Sequence, residues 1–448
     1  MNISDMRKLV YGLDYQVPLE NGVKKTSVNF DNAATTPILK PVLEDVMRFL
    51  TIYASAHRGF GYKSQLSTEI YDNCREAVGN FVHSNKEKNT VIFVKNTTEA
   101  INKLSNVIYE KYKDDIILST DMEHHSNDLP WRKFSLDYIN VDFQGVLNLK
   151  DLEDKLNYYG GKVRLVTVTG VSNVTGYKNS IHKIASIAHK YNAMIMVDAA
   201  QLVPHASVNM NGYRQDDYID FLAFSAHKMY APLGCGVLIG PKWLFQEVDT
   251  DYPGGGNVDI VTHDYVKWND SPLKNEPGSP NVVGAVALVS AMNTLSGMGM
   301  NNIERYERKL TEYALKRLYS LKNIKFYCGS SDIYRNVVKN SRDKKKNLLN
   351  NYDENSIQSK HLGIIPFNVE NFNHEQVAEF LSNKGAISVR NGCFCAQPYV
   401  QKLLLLSEQE VAERIKYNSH EPGMVRISFG FYNTFKEIDK LIFYLGKI

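Results

Sequence analysis

Between residues 90 and 240 the chain alternates short apolar runs with stretches in which apolar residues recur every three or four positions. The runs are VIFV (91–94), DIILS (115–119), VRLVTVT (163–169), AMIMV (193–197), FLAF (221–224) and GVLIG (236–240). Such runs are apolar nearly throughout rather than at every second position, which predicts strands covered on both faces, as in a mostly parallel sheet. The stretches between them supply the covers. From Glu99 to Tyr112 one helical face carries Ile101, Leu104, Val107 and Ile108, and from Ile181 to Tyr191 another carries Ile184, Ile187 and Ala188. After residue 300 the texture changes to a long helical stretch, NNIERYERKLTEYALKRLYSL, followed by shorter strands and helices. The expectation is an α/β protein with a smaller C-terminal α+β domain: 1–30 packing on the small domain, 31–298 forming the large domain, and 299–448 the small one. Residues 336–360, rich in Asn, Lys, Asp and Ser, have few side chains able to offset the cost of ordering, so a mobile surface insertion is expected there.

Composition changes this picture little. A chain of 448 residues exceeds what one hydrophobic core holds, in keeping with two domains. Its 52 basic and 49 acidic residues nearly balance at +3, without the basic excess that nucleic acid binding calls for. The segment MNISDMRKLVYG lacks the apolar core of a signal peptide, and no run approaches the length that spans a bilayer. A soluble cytoplasmic protein with neither nucleic acid nor membrane as partner is expected. The five cysteines, Cys74, Cys235, Cys328, Cys393 and Cys395, are too sparse for a disulfide framework, so they are expected as thiols.

In an open parallel sheet, ligands sit beyond the carboxyl ends of the strands, so the polar residues just after each run are the candidates. They are KNTTEA, TDMEHHSN, GVSN, DAAQ and SAHK, in chain order. Thr97 and Thr98 open a helix, where hydroxyls commonly serve as caps but where free N–H groups also bind phosphate. Asp198 follows four apolar residues, and a carboxylate at a buried strand end needs a cationic partner or several hydrogen bonds. A protonated pyridine nitrogen would be such a partner. Lys228 follows another buried strand, and a buried lysine readily becomes a neutral, nucleophilic amine.

Taken in order, FDNAATTP from residue 30, NTTEAIN, MEHHSNDLPW, VSNVTG, VDAAQ, SAHKMYAPLGCGVL, RNGCFCAQP and VRISFGFYNT resemble the class V aminotransferases, pyridoxal-phosphate (PLP) enzymes of fold type I, and among them the cysteine desulfurases. The resemblance implies that Lys228 carries the cofactor covalently and moves the substrate Cα proton. It implies that Asp198 pairs with the pyridine nitrogen, that His124 stacks on the ring, and that Gln201 and Asn173 bond its phenolic oxygen. Thr98, Ser225 and His227 would hold the phosphate, with Thr97 nearby and Ser279 reaching across from the partner subunit of a homodimer. Arg426 would grip the substrate carboxylate, with Arg390 in support.

Cys395 matches the desulfurase cysteine, which takes sulfur from L-cysteine as a persulfide and leaves alanine, and the resemblance implies a sulfur-acceptor protein as partner. Two features depart from the family. Cys393 and Phe394 stand where it has histidines, and residues 401–423 lengthen the path to Arg426, with Leu403, Leu404, Val411 and Ile415 predicting a helix within them. Cys393 is a weak metal signal without further ligands nearby, and no metal site is expected. Cys74, Cys235 and Cys328 are expected to serve in packing. Two other readings stay open: an aminotransferase or C–S lyase with the same cofactor machinery on another small amino acid, and a non-catalytic dimeric scaffold. Intact Lys228, Asp198, His124 and Arg426 argue against the scaffold, which would need none of them.

Overall fold

The structure is a computed structural model that describes residues 3–57, 59–142, 145–327, 361–417 and 422–448. The Asn- and Lys-rich stretch 336–360 and Cys328 lie outside the described residues. A seven-stranded sheet forms the centre, ordered 89–94, 236–241, 221–225, 194–198, 163–169, 116–120, 135–139. Gly236–Pro241 runs antiparallel to both neighbours because it returns directly from the preceding strand, and the remaining pairs are parallel. All six apolar runs are strands. The seventh, Ser135–Ile139, stands at an edge and is only partly buried, so its SLDYI sequence lacks the unbroken apolar run of its neighbours.

Alternation along each strand divides the packing between two faces. Val197, Leu222, Phe224, Val237 and Ile239 enter one apolar cluster with the helix Val282–Met298. Met196, Phe221, Ala223 and Leu238 enter another with Ile101, Leu104 and Ile108 of the helix Thr97–Tyr112. Among the described residues no single helix is long and apolar enough to cross a membrane.

A third cluster surrounds a four-stranded antiparallel sheet ordered 324–326, 364–369, 424–428, 390–392. The helices Met300–Leu318, His374–Gly385 and Phe435–Leu445 contribute Leu310, Leu381 and Leu441 to its core. Residues near the start of the chain serve both bodies. Met6 and Val10 pack in the first cluster, whereas Val28 and Phe30 pack in the third, where Val28–Asn29 pairs in parallel with Ile387–Ser388. The following residues, Asp31 to Thr36, then run along the junction to the carboxyl ends of the large sheet, where the hydroxyls of Thr35 and Thr36 donate to the His227 carbonyl.

Candidate active site

A cavity of about 260 Å³ lies beyond the carboxyl ends of the large sheet, lined on its far side by Arg390 and Arg426 of the small sheet and by Phe394 and Cys395 of the turn after Gly392. Asp198 lies at its floor, the last residue of Met194–Asp198, 4% exposed. Its carboxylate accepts one hydrogen bond, from the Ala200 amide at 3.0 Å, and no cation among the described residues forms an ion pair with it. Burial pushes its carboxyl up. Withdrawing an unpaired carboxylate from water costs several kcal/mol, more than the roughly 1.5–3 kcal/mol that one hydrogen bond to a charged group returns. The site therefore has the electrostatics of one built for a cation.

Lys228 ends the turn Ala226–Lys228, which follows the fully buried strand Phe221–Ser225. Its ammonium makes no hydrogen bond or ion pair among the described residues. Burial pushes it down to about 8; nearby Arg426 adds to the fall and Asp198 opposes it. His124 lines the same cavity, and its Nδ1 accepts from the Ser126 amide at 3.1 Å, which leaves the proton of the neutral ring on Nε2. Burial, then Lys228, holds its pKa near about 3, so it is a neutral, flat face at physiological pH.

The helix Thr97–Tyr112 points its N-terminus at the cavity, capped by Asn96, whose side chain accepts from the Glu99 amide at 3.0 Å. The Thr97 amide donates to Ser225 Oγ at 2.8 Å, their hydroxyls lie 2.7 Å apart, and the Thr98 and Ser126 hydroxyls form a second pair at 2.7 Å. His227 is half-buried beside them, and burial pushes it down to about 4. Gln201 donates from Nε2 to the Ala33 carbonyl at 2.6 Å, while its buried Oε1 has no partner.

Arg426, 3% exposed within the strand Met424–Ser428, donates from Nη1 to the Asn173 carbonyl at 2.7 Å and from Nη2 to Asp31 Oδ1 at 3.1 Å. Its guanidinium lies 4.8 Å from the centre of the Phe394 ring, and its Nε has no partner. Asn173 Nδ2 donates to the Phe394 carbonyl at 2.7 Å, so Asn173 joins the large sheet to both the Arg426 strand and the Cys395 loop. Arg390 is half-exposed, 3.8 Å from the other oxygen of Asp31. Cys395 is exposed at the cavity edge, its carbonyl accepting from the His125 amide at 2.7 Å, and His125 Nε2 accepts from the Gln397 amide at 3.1 Å. Of the thirteen residues expected at the site, twelve line this one cavity. Ser279 does not; it is exposed outside its own chain's cavity.

Four further contributors escaped the sequence reading. Asp31, inside FDNAATTP, holds Arg426 and faces Arg390. Phe394 forms a wall under the Arg426 guanidinium, and His125 pins the Cys395 loop. Glu123, fully enclosed, accepts from the Thr120 hydroxyl at 2.6 Å, Asn127 Nδ2 at 2.6 Å and the Thr169 amide at 2.9 Å, which ties the loop carrying His124 to two strand ends. Burial pushes its carboxyl up to about 8. The signal in the sequence for Glu123 is its place beside His124, and for Asp31 its place in FDNAATTP.

The model of the family described as aminotransferase class V matches residues 28–341 and 330–441. Over 451 aligned positions the chain is 32% identical to a probable cysteine desulfurase of Halalkalibacterium halodurans, covering 98% of this chain and 96% of that one. It is 31% identical over 429 positions to a cysteine desulfurase of Escherichia coli O8, covering 93% and 92%. The apo structure of a cysteine desulfurase from Thermococcus onnurineus NA1 superimposes with a TM-score of 0.80 at 30% identity, covering 100% and 98%. The E. coli cysteine desulfurase CsdA shares the fold with a TM-score of 0.77 at 24% identity, again over 100% and 98%. This chain therefore belongs to the class V aminotransferases, with the architecture of PLP fold type I.

Proposed function

We propose that this protein is a PLP-dependent cysteine desulfurase that converts L-cysteine to L-alanine and holds the sulfur as a persulfide on Cys395. The observation that carries this reading is an exposed thiol on the rim of the same cavity that contains Lys228, Asp198 and Arg426. The unmet demands of the cavity fit the cofactor. Asp198 lacks a cation, and a helix N-terminus with hydroxyls around it lies where an anion is stabilised. Asp198 would hold the pyridine nitrogen, Gln201 and Asn173 the phenolic oxygen, and Thr97, Thr98, Ser225 and His227 the phosphate, with His124 over the ring and Lys228 as the covalent anchor. When bound, PLP supplies an electron sink for negative charge at the substrate Cα.

The side chains perform the rest. Arg426 binds the substrate carboxylate through its rigid fork, with Arg390 at the entrance. Lys228, its amine lowered by burial, accepts and returns a proton at the substrate carbon. The Cys395 thiolate attacks the sulfur of L-cysteine; the S–S bond forms as the C–S bond breaks, and the carbon fragment leaves, once protonated, as alanine. We assign Ser279 to the cavity of a second copy in a homodimer, because it is exposed and outside its own. A sulfur-acceptor protein in the cytoplasm would then collect the sulfur from Cys395.

Incubating the purified, PLP-loaded protein with L-cysteine and a reductant, and measuring alanine, sulfide and pyruvate together, tests this reading. Alanine and sulfide in equal amounts are expected. Pyruvate in place of alanine would make the protein a C–S lyase, and amino-group exchange without sulfide would make it an aminotransferase.

A further inference from the structure

Cys393 stands two residues before Cys395, and the two thiols have opposite surroundings. Cys395 is exposed at the cavity edge, whereas Cys393 is 8% exposed and its Sγ donates to the Pro422 carbonyl at 2.9 Å. Neither is in a disulfide. The backbone between them bends sharply, since Phe394 and Cys395 both take left-handed φ values, 54° and 55°. Non-glycine residues seldom adopt that conformation unless their surroundings hold them there. Here the Asn173 side chain donates to the Phe394 carbonyl and Arg426 lies over the Phe394 ring. A bend of this kind shortens the distance between flanking residues relative to an extended strand, toward the roughly 4.4–6.8 Å between Cα atoms that a disulfide spans. Cys74 and Cys235 are buried in the first apolar cluster and line no part of the cavity.

We propose that Cys393 is a second thiol of this reaction, which resolves a Cys395 persulfide left without an acceptor by closing a Cys393–Cys395 disulfide and expelling hydrogen sulfide. The inference rests on the assignment of the persulfide to Cys395. The Cys393 thiol gives up its proton and its sulfur attacks Cys395 Sγ. The new Sγ–Sγ bond forms as the bond from Cys395 Sγ to the outer sulfur breaks. The electron pair leaves on the outer sulfur as hydrosulfide, which takes the proton. No outside oxidant is required, because a persulfide already stands at the oxidation level of a disulfide. Hydrosulfide is a weaker base than a cysteine thiolate, which favours it as the leaving group. A buried thiol donating to a carbonyl is protonated and a slow nucleophile. It loses to an acceptor that arrives promptly and acts when the persulfide lingers.

Two charging routes test this on the PLP-loaded protein. The first is a pulse of L-cysteine without reductant; the second is sodium polysulfide, which persulfidates exposed thiols without the desulfurase step. Both are expected to give a peptide holding Cys393 and Cys395 two hydrogens lighter than the dithiol, with sulfide released after the cysteine pulse in an amount matching alanine. Activity should be lost and then restored by a dithiol reductant. Cys393→Ser and Cys393→Ala, checked for cofactor loading and thermal melting, should instead keep the extra sulfur on Cys395 and release no sulfide. A persulfide that persists on Cys395 in the unaltered chain, or extra sulfur found on Cys393, overturns the inference under either route. Failure of the cysteine pulse to yield alanine, with polysulfide still closing the disulfide, would sink the desulfurase reading and leave this exchange standing.

Discussion

The floor and the rim of the cavity are built by different means. At the floor, Asp198 ends one buried strand of the large sheet and Lys228 follows another, and their positions are set by packing on both faces. At the rim, Phe394 and Cys395 sit on a bend with left-handed φ, held by single contacts from His125, Asn173 and Arg426. The floor is thus rigid and supplies electrostatics. The rim places one thiol at the edge of the cavity on a short bend, as the proposed sulfur transfer requires. Changes at the floor should disable every reaction the cofactor supports, and changes at the rim should stop the sulfur step while cofactor loading and substrate binding persist.

The largest effect should come from Asp198→Asn, which keeps the shape and removes the charge. Alanine formation is expected to fall roughly 10²–10³-fold, the size seen when a preorganised electrostatic partner is lost, while PLP stays bound and visibly yellow. Turnover close to that of the parent would remove Asp198 from the floor's chemistry.

Arg426→Lys keeps the charge but loses the fork held by Asn173 and Asp31. Losing one charge-assisted hydrogen bond, about 1.5–3 kcal/mol, should raise KM for L-cysteine about tenfold to a hundredfold, with a smaller change in kcat. If Arg390→Lys produced the larger rise in KM, the two arginines would have to exchange roles.

A milder test concerns Lys228 in the cofactor-free chain. Because burial lowers its pKa to about 8, the neutral amine is the minor form at neutrality and grows about tenfold per pH unit until that value is reached. The rate of covalent PLP uptake, followed by borohydride reduction and peptide mapping to Lys228, should rise with pH up to about 8 and then level. A rate that keeps climbing toward the ordinary lysine range would mean that the amine is solvated.

The same contrast governs what the sequence disclosed. Six strands were legible because each is an uninterrupted apolar run, and the seventh was not because Ser135–Ile139 is half-exposed at an edge. Asp198 and Lys228 stood out as polar residues directly after such runs. Glu123 and Asp31 did not, because the enclosure of a carboxylate and its choice of partners are tertiary properties: Asp31 and its partner Arg426 are separated by most of the chain. Cys395 was reached through motif resemblance. The left-handed φ at Phe394 and Cys395 has no signal in their own identities, since neither is the glycine that usually marks such a φ. The helix predicted within 401–423 resolves into the end of Gln397–Leu403 and a separate helix, Glu408–Tyr417.

The measurement that bears most directly on the central claim is alanine formation from L-cysteine by Cys395→Ser, followed together with mass spectrometry of the unaltered protein soon after a cysteine pulse. The floor is intact in this variant, so it should load PLP and bind L-cysteine, yet form alanine at least about 10²-fold more slowly, as expected when a nucleophile is removed. In the unaltered chain the first extra sulfur should appear on Cys395. Alanine at the parental rate from Cys395→Ser, or no sulfur on Cys395 at any time after the pulse, would contradict the account.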